Sequence, residues 1–261
     1  VSSSAHVIVV EKLLGLDPSA PELTFLLVML HTGTLFAVLF YFRKRWCTIW
    51  NASGTARREF IKYLFLATVA TGLVGLSLKK IIEKTILADV PHAEIEHLFS
   101  NLPLIAAALA AAGIVIFIAG SRPEGNAPLN NKNSLFIGIV QGLCLPFRGF
   151  SRSGATISAG IYAGVSKNLA EEFSFALAII LTPPVVLREF LRLKKANALS
   201  GVAMHQMLLP GFLGMLFSFA AGMLALYWIS SWIEKGRWKW FSYYCFFAAC
   251  MVLVVNYLNI P

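Results

Sequence analysis

Six apolar stretches, each of about 20 residues, restrict the folds open to this chain more than any other feature. They lie at about 22–42, 61–78, 102–120, 173–193, 206–231 and 240–258. A helix of about 20 apolar residues is long enough to cross the hydrocarbon of a bilayer. Charged residues make up only 13% of the chain, and a soluble domain carries about 25%. We therefore predict an all-α polytopic membrane protein with six transmembrane helices.

Two further apolar pieces, at about 135–147 and 155–165, are too short to cross a bilayer. A loop rich in glycine, serine and arginine separates them. Non-helical backbone persists at membrane depth only where protein buries it or where it lines a wet cavity. We therefore expect residues 135–165 to form a re-entrant helical hairpin with this loop at its tip.

The residue types at this tip are suited to binding a phosphate group. Gly149 and Gly154 allow backbone N–H groups to converge on an anion. The guanidinium of Arg152 offers two parallel donors that match two phosphate oxygens. Neutral hydroxyl donors are contributed by Ser151, Ser153 and Thr156. In a soluble protein such a run is more often a polar loop with a helix cap, but an ionisable residue at membrane depth indicates a functional site.

The first residues of the chain resemble this tip in pattern, since residues 1–8 read VSSSAHVI and residues 150–157 read FSRSGATI. Three predicted spans follow each motif. An odd number of spans gives two halves opposite orientations in the membrane. We predict a single domain, 1–261, built from two inverted repeats, 1–120 and 121–261, with two re-entrant hairpins, the first truncated at its N-terminus. The repeat suggests one site formed jointly by Ser2–His6 and Arg148–Thr156.

The formal net charge of +9 suggests basic cytoplasmic loops and anionic lipid partners, and we expect no nucleic-acid partner. The segment after the first span is strongly basic. It contains Arg43, Lys44, Arg45, Arg57, Arg58 and Lys62, with Glu59 as its acidic residue. The positive-inside rule places this segment in the cytoplasm. Counting spans then puts the basic segment 188–195 outside, against the same rule, and the stronger first signal decides the predicted orientation.

Several other polar or small residues have structural interpretations that we prefer. His31 predicts an interhelical hydrogen bond. Asn168 followed by Glu171 predicts a capping box. Gly72 and Gly138 are expected where helices pack closely. The four cysteines, at 47, 144, 245 and 250, have no metal-site spacing, and we expect no disulfide framework.

The two motifs together, VSSSAH at 1–6 and GFSRSGATIS at 149–158, resemble the undecaprenyl-diphosphate phosphatase family, also called the bacitracin-resistance family. The segments LHTGTLFAV at 30–38 and EFSF at 172–175 are similar to it as well. The resemblance implies an integral enzyme of the bacterial inner membrane that removes the terminal phosphate of undecaprenyl diphosphate. That reaction recycles the lipid carrier for peptidoglycan synthesis and confers bacitracin resistance. The site is expected to face the outer, periplasmic side.

The resemblance also implies roles for individual residues. Ser3 matches the proposed nucleophile, His6 the essential histidine, and Arg152 a catalytic cation. The phosphate-binding set is Ser2, Gly149, Ser151, Ser153, Gly154 and Thr156. The resemblance further implies a divalent cation, Mg²⁺ or Ca²⁺, whose acidic ligands we expect upstream of Val1. Cys245 falls about where many members have a basic residue, which Arg148 would partly replace.

The chemistry leaves alternatives open. Ser3 and His6 are three residues apart, on one face of a helix, so His6 can act as the base for attack by Ser3. Direct attack by a metal-bound water, with Ser3 only a ligand, is the second route. A lipid-phosphate transporter or flippase would use the same tips, because inverted repeats with broken helices also build transporters. A non-catalytic membrane scaffold is the third class of function, after an enzyme and a transporter. The expected partners are a polyprenyl diphosphate and membrane lipids, and a homodimer stays open.

Overall fold

The computed structural model describes residues 2–17, 20–85, 101–200 and 205–258. Within these ranges the chain forms ten α-helices and no strand beyond one isolated bridge between Ala127 and Val165. The helices are α1 Ser3–Leu13, α2 Pro21–Tyr41, α3 Arg43–Asn51, α4 Gly54–Thr85, α5 Leu102–Gly120, α6 Asn131–Cys144, α7 Arg152–Tyr162, α8 Lys167–Ser200, α9 His205–Glu234 and α10 Trp240–Tyr257.

Five of the described helices are long and apolar enough to cross a membrane: α4, α5, α8, α9 and α10. A sixth span is obtained if α2 and α3, which meet at an angle of 59°, are counted together. Many large side chains on these helices are exposed, among them Phe65, Phe217 and Phe247, and lipid would cover them. The prediction of an all-helical, multi-pass membrane protein is confirmed.

Helices α6 and α7 are too short to span a bilayer. They contain 14 and 11 residues, which at 1.5 Å per residue gives about 21 and 16 Å against a hydrocarbon core of about 30 Å. Helix α6 packs on α4, and α7 packs on α5 and α8. The loop between α6 and α7 is therefore held among longer helices. This is the segment in which the sequence predicts a re-entrant hairpin.

The α4–α6 contact brings backbone against backbone. A Cβ atom at Gly138 would overlap the carbonyl oxygen of Ala67 on α4. The hydroxyl of Thr71 donates to the Gly138 carbonyl oxygen at 2.9 Å, and the amide of Gln141 donates to that hydroxyl at 3.1 Å. Small residues and interhelical hydrogen bonds are how helices associate where no hydrophobic effect drives them together. Gly138 is thus a close-contact glycine, as predicted. Gly72 is not, because nothing lies within 4 Å of a Cβ at that position.

The predicted capping box at the start of α8 is wrong. Helix α8 begins at Lys167, one residue before Asn168, and Glu171 accepts a hydrogen bond of 2.7 Å from Ser230 on α9. The start of α8 is instead satisfied by Glu124, which accepts from the Lys167 backbone N–H at 3.0 Å and pairs with its ammonium at 2.9 Å. Partial burial raises the pKa of Glu124, but its bonds with Lys167 lower that pKa by more.

The packing of α6 on α4 predicts a large effect of one added methyl group. We expect Gly138→Ala to lower the free energy of unfolding by about 1–3 kcal/mol. The added methyl group would meet backbone atoms of Ala67, which cannot move aside as a flexible side chain could. Gly72→Ala is the matched control, since it adds the same methyl group in open space on α4. Thermal unfolding in detergent, followed by loss of the monodisperse chromatographic peak, measures both. Equal melting temperatures for the two variants would contradict this packing.

Candidate active site

Two short helices, α1 and α7, begin in the same way. Ser2 precedes α1, and its hydroxyl oxygen accepts from the backbone N–H of Ala5 at 3.4 Å. Ser151 precedes α7, and its hydroxyl oxygen accepts from the backbone N–H of Gly154 at 3.2 Å. The backbone angles of the two capping residues also agree, at φ −54°, ψ 99° and φ −61°, ψ 102°. Each start presents first-turn N–H groups and the positive end of a helix dipole, which favour an anion.

The same two helices end in the same way. Each contains 11 residues. Each is followed after one further residue by a glycine of positive φ, Gly15 at +71° and Gly164 at +83°. Ser3 and Arg152 occupy equivalent positions, since each is the first residue of its helix. The resemblance between residues 1–8 and 150–157 thus extends to local structure.

The tip loop before α7 is pressed against α5. Gly149 has φ +99°, and a Cβ there would lie 2.7 Å from the carbonyl oxygen of Ile105. Ala5 and Ile8 of α1 pack in the same apolar cluster as Ile105. Phe147, from the tip loop, packs against this cluster as well. Helix α5 is therefore shared by the two serine-capped helices, which brings the two predicted motifs to one region of the protein.

Ionisable residues from the two halves lie within electrostatic range of one another. Arg148 is within this range of Glu11 on α1 and of His31 on α2. Arg152 is within it of His31 and Cys144. Glu11 is only 5% exposed, and one of its carboxylate oxygens has no hydrogen-bond partner among the described residues. A cation is the natural compensation for such a carboxylate. His31 donates from Nδ1 to the Leu27 carbonyl oxygen at 2.6 Å. This bond lies within α2 and is not the predicted interhelical bond.

The hydroxyl of Thr156 is already engaged within the protein. It donates to the Arg152 carbonyl oxygen at 2.9 Å and lies 2.5 Å from the hydroxyl of Ser174 on α8. The side chain is fully buried. Two residues further on, the hydroxyl of Ser158 accepts from the indole N–H of Trp238 at 3.1 Å. These bonds fix α7 against its neighbours, so the backbone that carries Arg152 is held rigidly.

His6 has both ring nitrogens occupied. Nδ1 donates to the Ser2 carbonyl oxygen at 2.7 Å, because a carbonyl can only accept. In the neutral imidazole Nε2 is then the acceptor, and it lies 2.7 Å from the hydroxyl of Tyr244 on α10. The two rings are also stacked, with centroids 5.7 Å apart. Among the described residues, neither nitrogen bonds to the hydroxyl of Ser3. Ser3 and His6 are both exposed on α1.

Tyr244 is a residue of the site that sequence reasoning missed. It lies 238 positions from His6, in a span made mostly of apolar and aromatic residues. No motif or spacing connects two residues so far apart. The neighbouring position, Cys245, is buried between α5 and α7.

The described part of the chain does not provide a metal site. It contains no group of three or more His, Cys, Asp or Glu side chains that could hold an ion. Gln141, on the helix that leads to the second tip, is fully buried and donates to Thr71. An amide in this position is neutral, so it adds no charge for a cation to bind.

Comparison with known proteins places the chain in a family. The family model described as Bacitracin resistance protein BacA matches residues 1–251. The chain belongs to the bacitracin resistance protein family. The family resemblance seen in the two motifs is therefore confirmed across residues 1–251.

Curated relatives carry related names. The chain is 51% identical over 260 residues to undecaprenyl-diphosphatase 2 of Acinetobacter baylyi, covering 98% of this chain and 91% of the relative. It is 34% identical to undecaprenyl-diphosphatase 1 of Burkholderia pseudomallei, covering 97% and 89%. It is 30% identical to undecaprenyl-diphosphatase of Desulfatibacillum aliphaticivorans, covering 99% and 93%. These names describe an activity on a polyprenyl diphosphate in each of the relatives.

The contact of the tip loop with α5 generates a stability prediction. Gly149→Ala should lower the free energy of unfolding by about 1–3 kcal/mol more than Gly15→Ala. Both substitutions place a side chain at positive φ, but a methyl group at Gly149 also meets the Ile105 carbonyl oxygen, whereas nothing lies within 4 Å of one at Gly15. Thermal unfolding of the two single variants measures the difference. Equal losses would show that the tip does not rest on α5.

Proposed function

We propose that this protein is an undecaprenyl-diphosphate phosphatase, which hydrolyses the terminal phosphate of undecaprenyl diphosphate to give undecaprenyl phosphate and inorganic phosphate. One observation carries the proposal: two serine-capped helix starts pack on α5, with Ser3 leading one helix and Arg152 leading the other. The names of the relatives describe the same activity. Recycling of the lipid carrier for peptidoglycan synthesis, and resistance to bacitracin, follow from it.

The architecture proposed for this site is an inverted repeat within one domain. The halves are 1–120, which contains the capped helix α1, and 121–261, in which α6 and the tip loop form a re-entrant segment that leads to the capped helix α7. The equal lengths, serine caps and trailing glycines of α1 and α7 support this symmetry. Two tips of opposite direction would then approach one headgroup from opposite sides, as broken helices do at the centre of inverted-repeat membrane proteins.

Phosphate binding is assigned to the second tip. A diphosphate ester resists hydrolysis because its negative charge repels a nucleophile, so catalysis depends on neutralising and positioning that charge. Arg152 supplies a bidentate cation, and the first-turn N–H groups of α7 supply neutral donors. Gly149, Ser151, Ser153 and Gly154 shape the loop around these donors. Thr156 contributes by fixing the Arg152 backbone, since its hydroxyl is bonded there.

Chemistry is assigned to the first tip. Ser3 attacks the terminal phosphorus, and the bond from that phosphorus to the bridging oxygen breaks, which releases undecaprenyl phosphate. Water then hydrolyses the phosphoseryl group, giving inorganic phosphate and restoring Ser3. His6 accepts the serine proton on Nε2, because Nδ1 is held by the Ser2 carbonyl oxygen. Nε2 must exchange Tyr244 for Ser3 at that moment, so Tyr244 stabilises the resting tautomer. Ser2 orients both residues as the cap of α1.

A divalent cation, Mg²⁺ or Ca²⁺, belongs to the proposal as a requirement for activity. It would neutralise phosphate charge when bound. The described residues do not form a site for it, and no step of the mechanism is assigned to it. Loss of phosphate release on chelation, with recovery on adding back one of the two ions, is the observation that supports the requirement.

The proposed location is the bacterial inner membrane, with the site open to the periplasmic side. The long exposed apolar surface supports a membrane location. The basic segment that includes α3 would then face the cytoplasm, by the positive-inside rule. The tip loop rests on α5 near Ile105, close to the end of α5 that lies away from α3 in this orientation. A headgroup bound at the tips would therefore be reached from the outer side.

The competing function is transport of a lipid phosphate. The same tips would bind the headgroup of a flippase, and architecture alone does not decide between the two. Release of inorganic phosphate from a polyprenyl diphosphate by purified protein tests the enzyme directly. Translocation of the lipid in vesicles without turnover would favour transport. An inert protein whose behaviour is unchanged by Arg152→Ala would favour a scaffold.

The role of Arg152 predicts a sensitive substitution. Arg152→Lys keeps the positive charge but loses the planar pair of donors, so we expect kcat/KM for phosphate release to fall by about 10- to 100-fold. Arg57→Lys is the control, since Arg57 lies near α3 and donates to the Trp50 carbonyl oxygen. Full activity of Arg152→Lys would argue that the cation is not paired with phosphate.

The role of Ser3 separates the two chemical routes. Attack by Ser3 predicts that Ser3→Ala lowers kcat by more than about 10³-fold, since the variant lacks the nucleophile. Rapid quenching of the wild-type reaction should also trap phosphate on Ser3, identified by peptide mass. A Ser3→Ala enzyme that retains substantial turnover would exclude the covalent route and favour attack by water. Tyr244→Phe serves as a comparison, because it removes only the bond to His6.

A further inference from the structure

Helix α3 follows the first span but turns away from it. Its axis bends by 59° from that of α2, and none of its nine residues is buried. The helix is nevertheless held in place. Trp46 packs against Phe42 and Phe175 in an apolar cluster, and Arg45 pairs with Glu172 of α8 at 3.0 Å. A helix fixed at the end of a span and tilted toward the membrane plane lies where lipid headgroups are found.

The exposed side of this segment is strongly positive. Between Arg43 and Lys62 the sequence has six cations and one acid, Glu59. The exposed cations are Arg43, Lys44, Arg45, Arg58 and Lys62. Among the described residues, the ion pair of Arg45 with Glu172 is the only one that these cations form, so most of the positive charge of this segment is not neutralised by an ion pair. We call Lys44 of α3, together with Arg58 and Lys62 at the adjoining start of α4, the α3 basic surface.

An aromatic side chain stands beside this charge. Trp50, at the end of α3, is 69% exposed. The guanidinium of Arg57 lies 5.6 Å from its ring centroid and donates to its carbonyl oxygen at 2.8 Å, which fixes the start of α4 against α3. Tryptophan is enriched at the level of the headgroups, where one part of the ring is apolar and one part is polar. An exposed tryptophan among cations is therefore typical of contact with a charged membrane surface.

We propose that the α3 basic surface is a binding site for the headgroup of an anionic phospholipid. The occupant is assigned by charge, because an anionic headgroup complements the cations, and the exposed side chains of Phe36 and Phe40 on α2 offer an apolar surface to lipid tails. A second copy of the chain would bring the same cations to a symmetric contact and be repelled. The site is separate from the two tips and does not depend on the proposed phosphatase activity.

Native mass spectrometry of the full chain in detergent tests the site with phosphatidylglycerol and phosphatidylcholine as probes. The variant carries Lys44→Gln, Arg58→Gln and Lys62→Gln. We expect the Kd for the first phosphatidylglycerol to rise at least about fivefold. That is the loss expected from removing the attraction of even one of the three cations to an anionic headgroup. Binding of phosphatidylcholine should not change. The control carries Lys79→Gln, Lys80→Gln and Lys84→Gln at the other end of α4 and should keep the wild-type Kd.

Other outcomes overturn the proposal. An unchanged Kd for phosphatidylglycerol in the α3 variant would do so. An equal rise of the Kd in the control would do so as well, because it would show that the lipid responds to net charge and not to this surface. A change in oligomeric state or in binding of an acidic protein, with lipid affinity intact, would assign the surface to a protein partner instead. Replacing the same three residues so that each keeps its charge, by Lys44→Arg, Arg58→Lys and Lys62→Arg, should preserve the affinity. Loss there, with normal unfolding, would contradict a charge-based site.

Discussion

The structure depends on one requirement, which is that backbone at membrane depth must find its hydrogen-bond partners inside the protein. The tip before α7 meets this requirement with local bonds: the backbone N–H groups of Phe147 and Phe150 donate to the carbonyl oxygens of Cys144 and Phe147, and Ser151 satisfies an N–H at the start of the helix. The same logic applies where Thr71 bonds the Gly138 carbonyl oxygen. A loop that is buried in this way can be polar, and a polar loop held rigidly in an apolar protein is suited to binding a charged headgroup.

The rigidity of α7 explains how a single arginine can act as a positioned cation. Hydrogen bonds of Thr156 and Ser158 fix the helix, so the backbone that carries Arg152 is already ordered by folding and need not be ordered on binding. The first tip differs from this arrangement. Ser3 and His6 are exposed on α1, and His6 bonds to Tyr244 instead of Ser3. The proposed reaction therefore needs one exchange of hydrogen bonds at the first tip and none at the second.

Sequence reasoning predicted the features that depend on local pattern. Apolar length gave the helical membrane fold, and the two serine motifs led to the family and to two helix starts with matching caps. It was wrong for Glu171, which was expected to form a capping box with Asn168. Glu171 instead accepts a hydrogen bond from Ser230, a residue distant in the sequence. Sequence reasoning missed Tyr244, because a contact across 238 positions leaves no local trace. Gly72 and Gly138 look alike in sequence and differ only in what faces them. The inverted repeat stays a prediction.

The central claim is that the tips of α1 and α7 contact the same diphosphate. A double-mutant cycle on binding of a non-hydrolysable polyprenyl methylene-diphosphonate tests it most directly, using Ser3→Ala, Arg152→Lys and the two together. When two residues contact the same ligand, the losses of binding free energy from the two substitutions differ from additivity by about 0.5–3 kcal/mol, whereas the losses from separate sites add. The account predicts a coupling of at least about 1 kcal/mol. Strictly additive losses would show that the two tips do not meet at one headgroup.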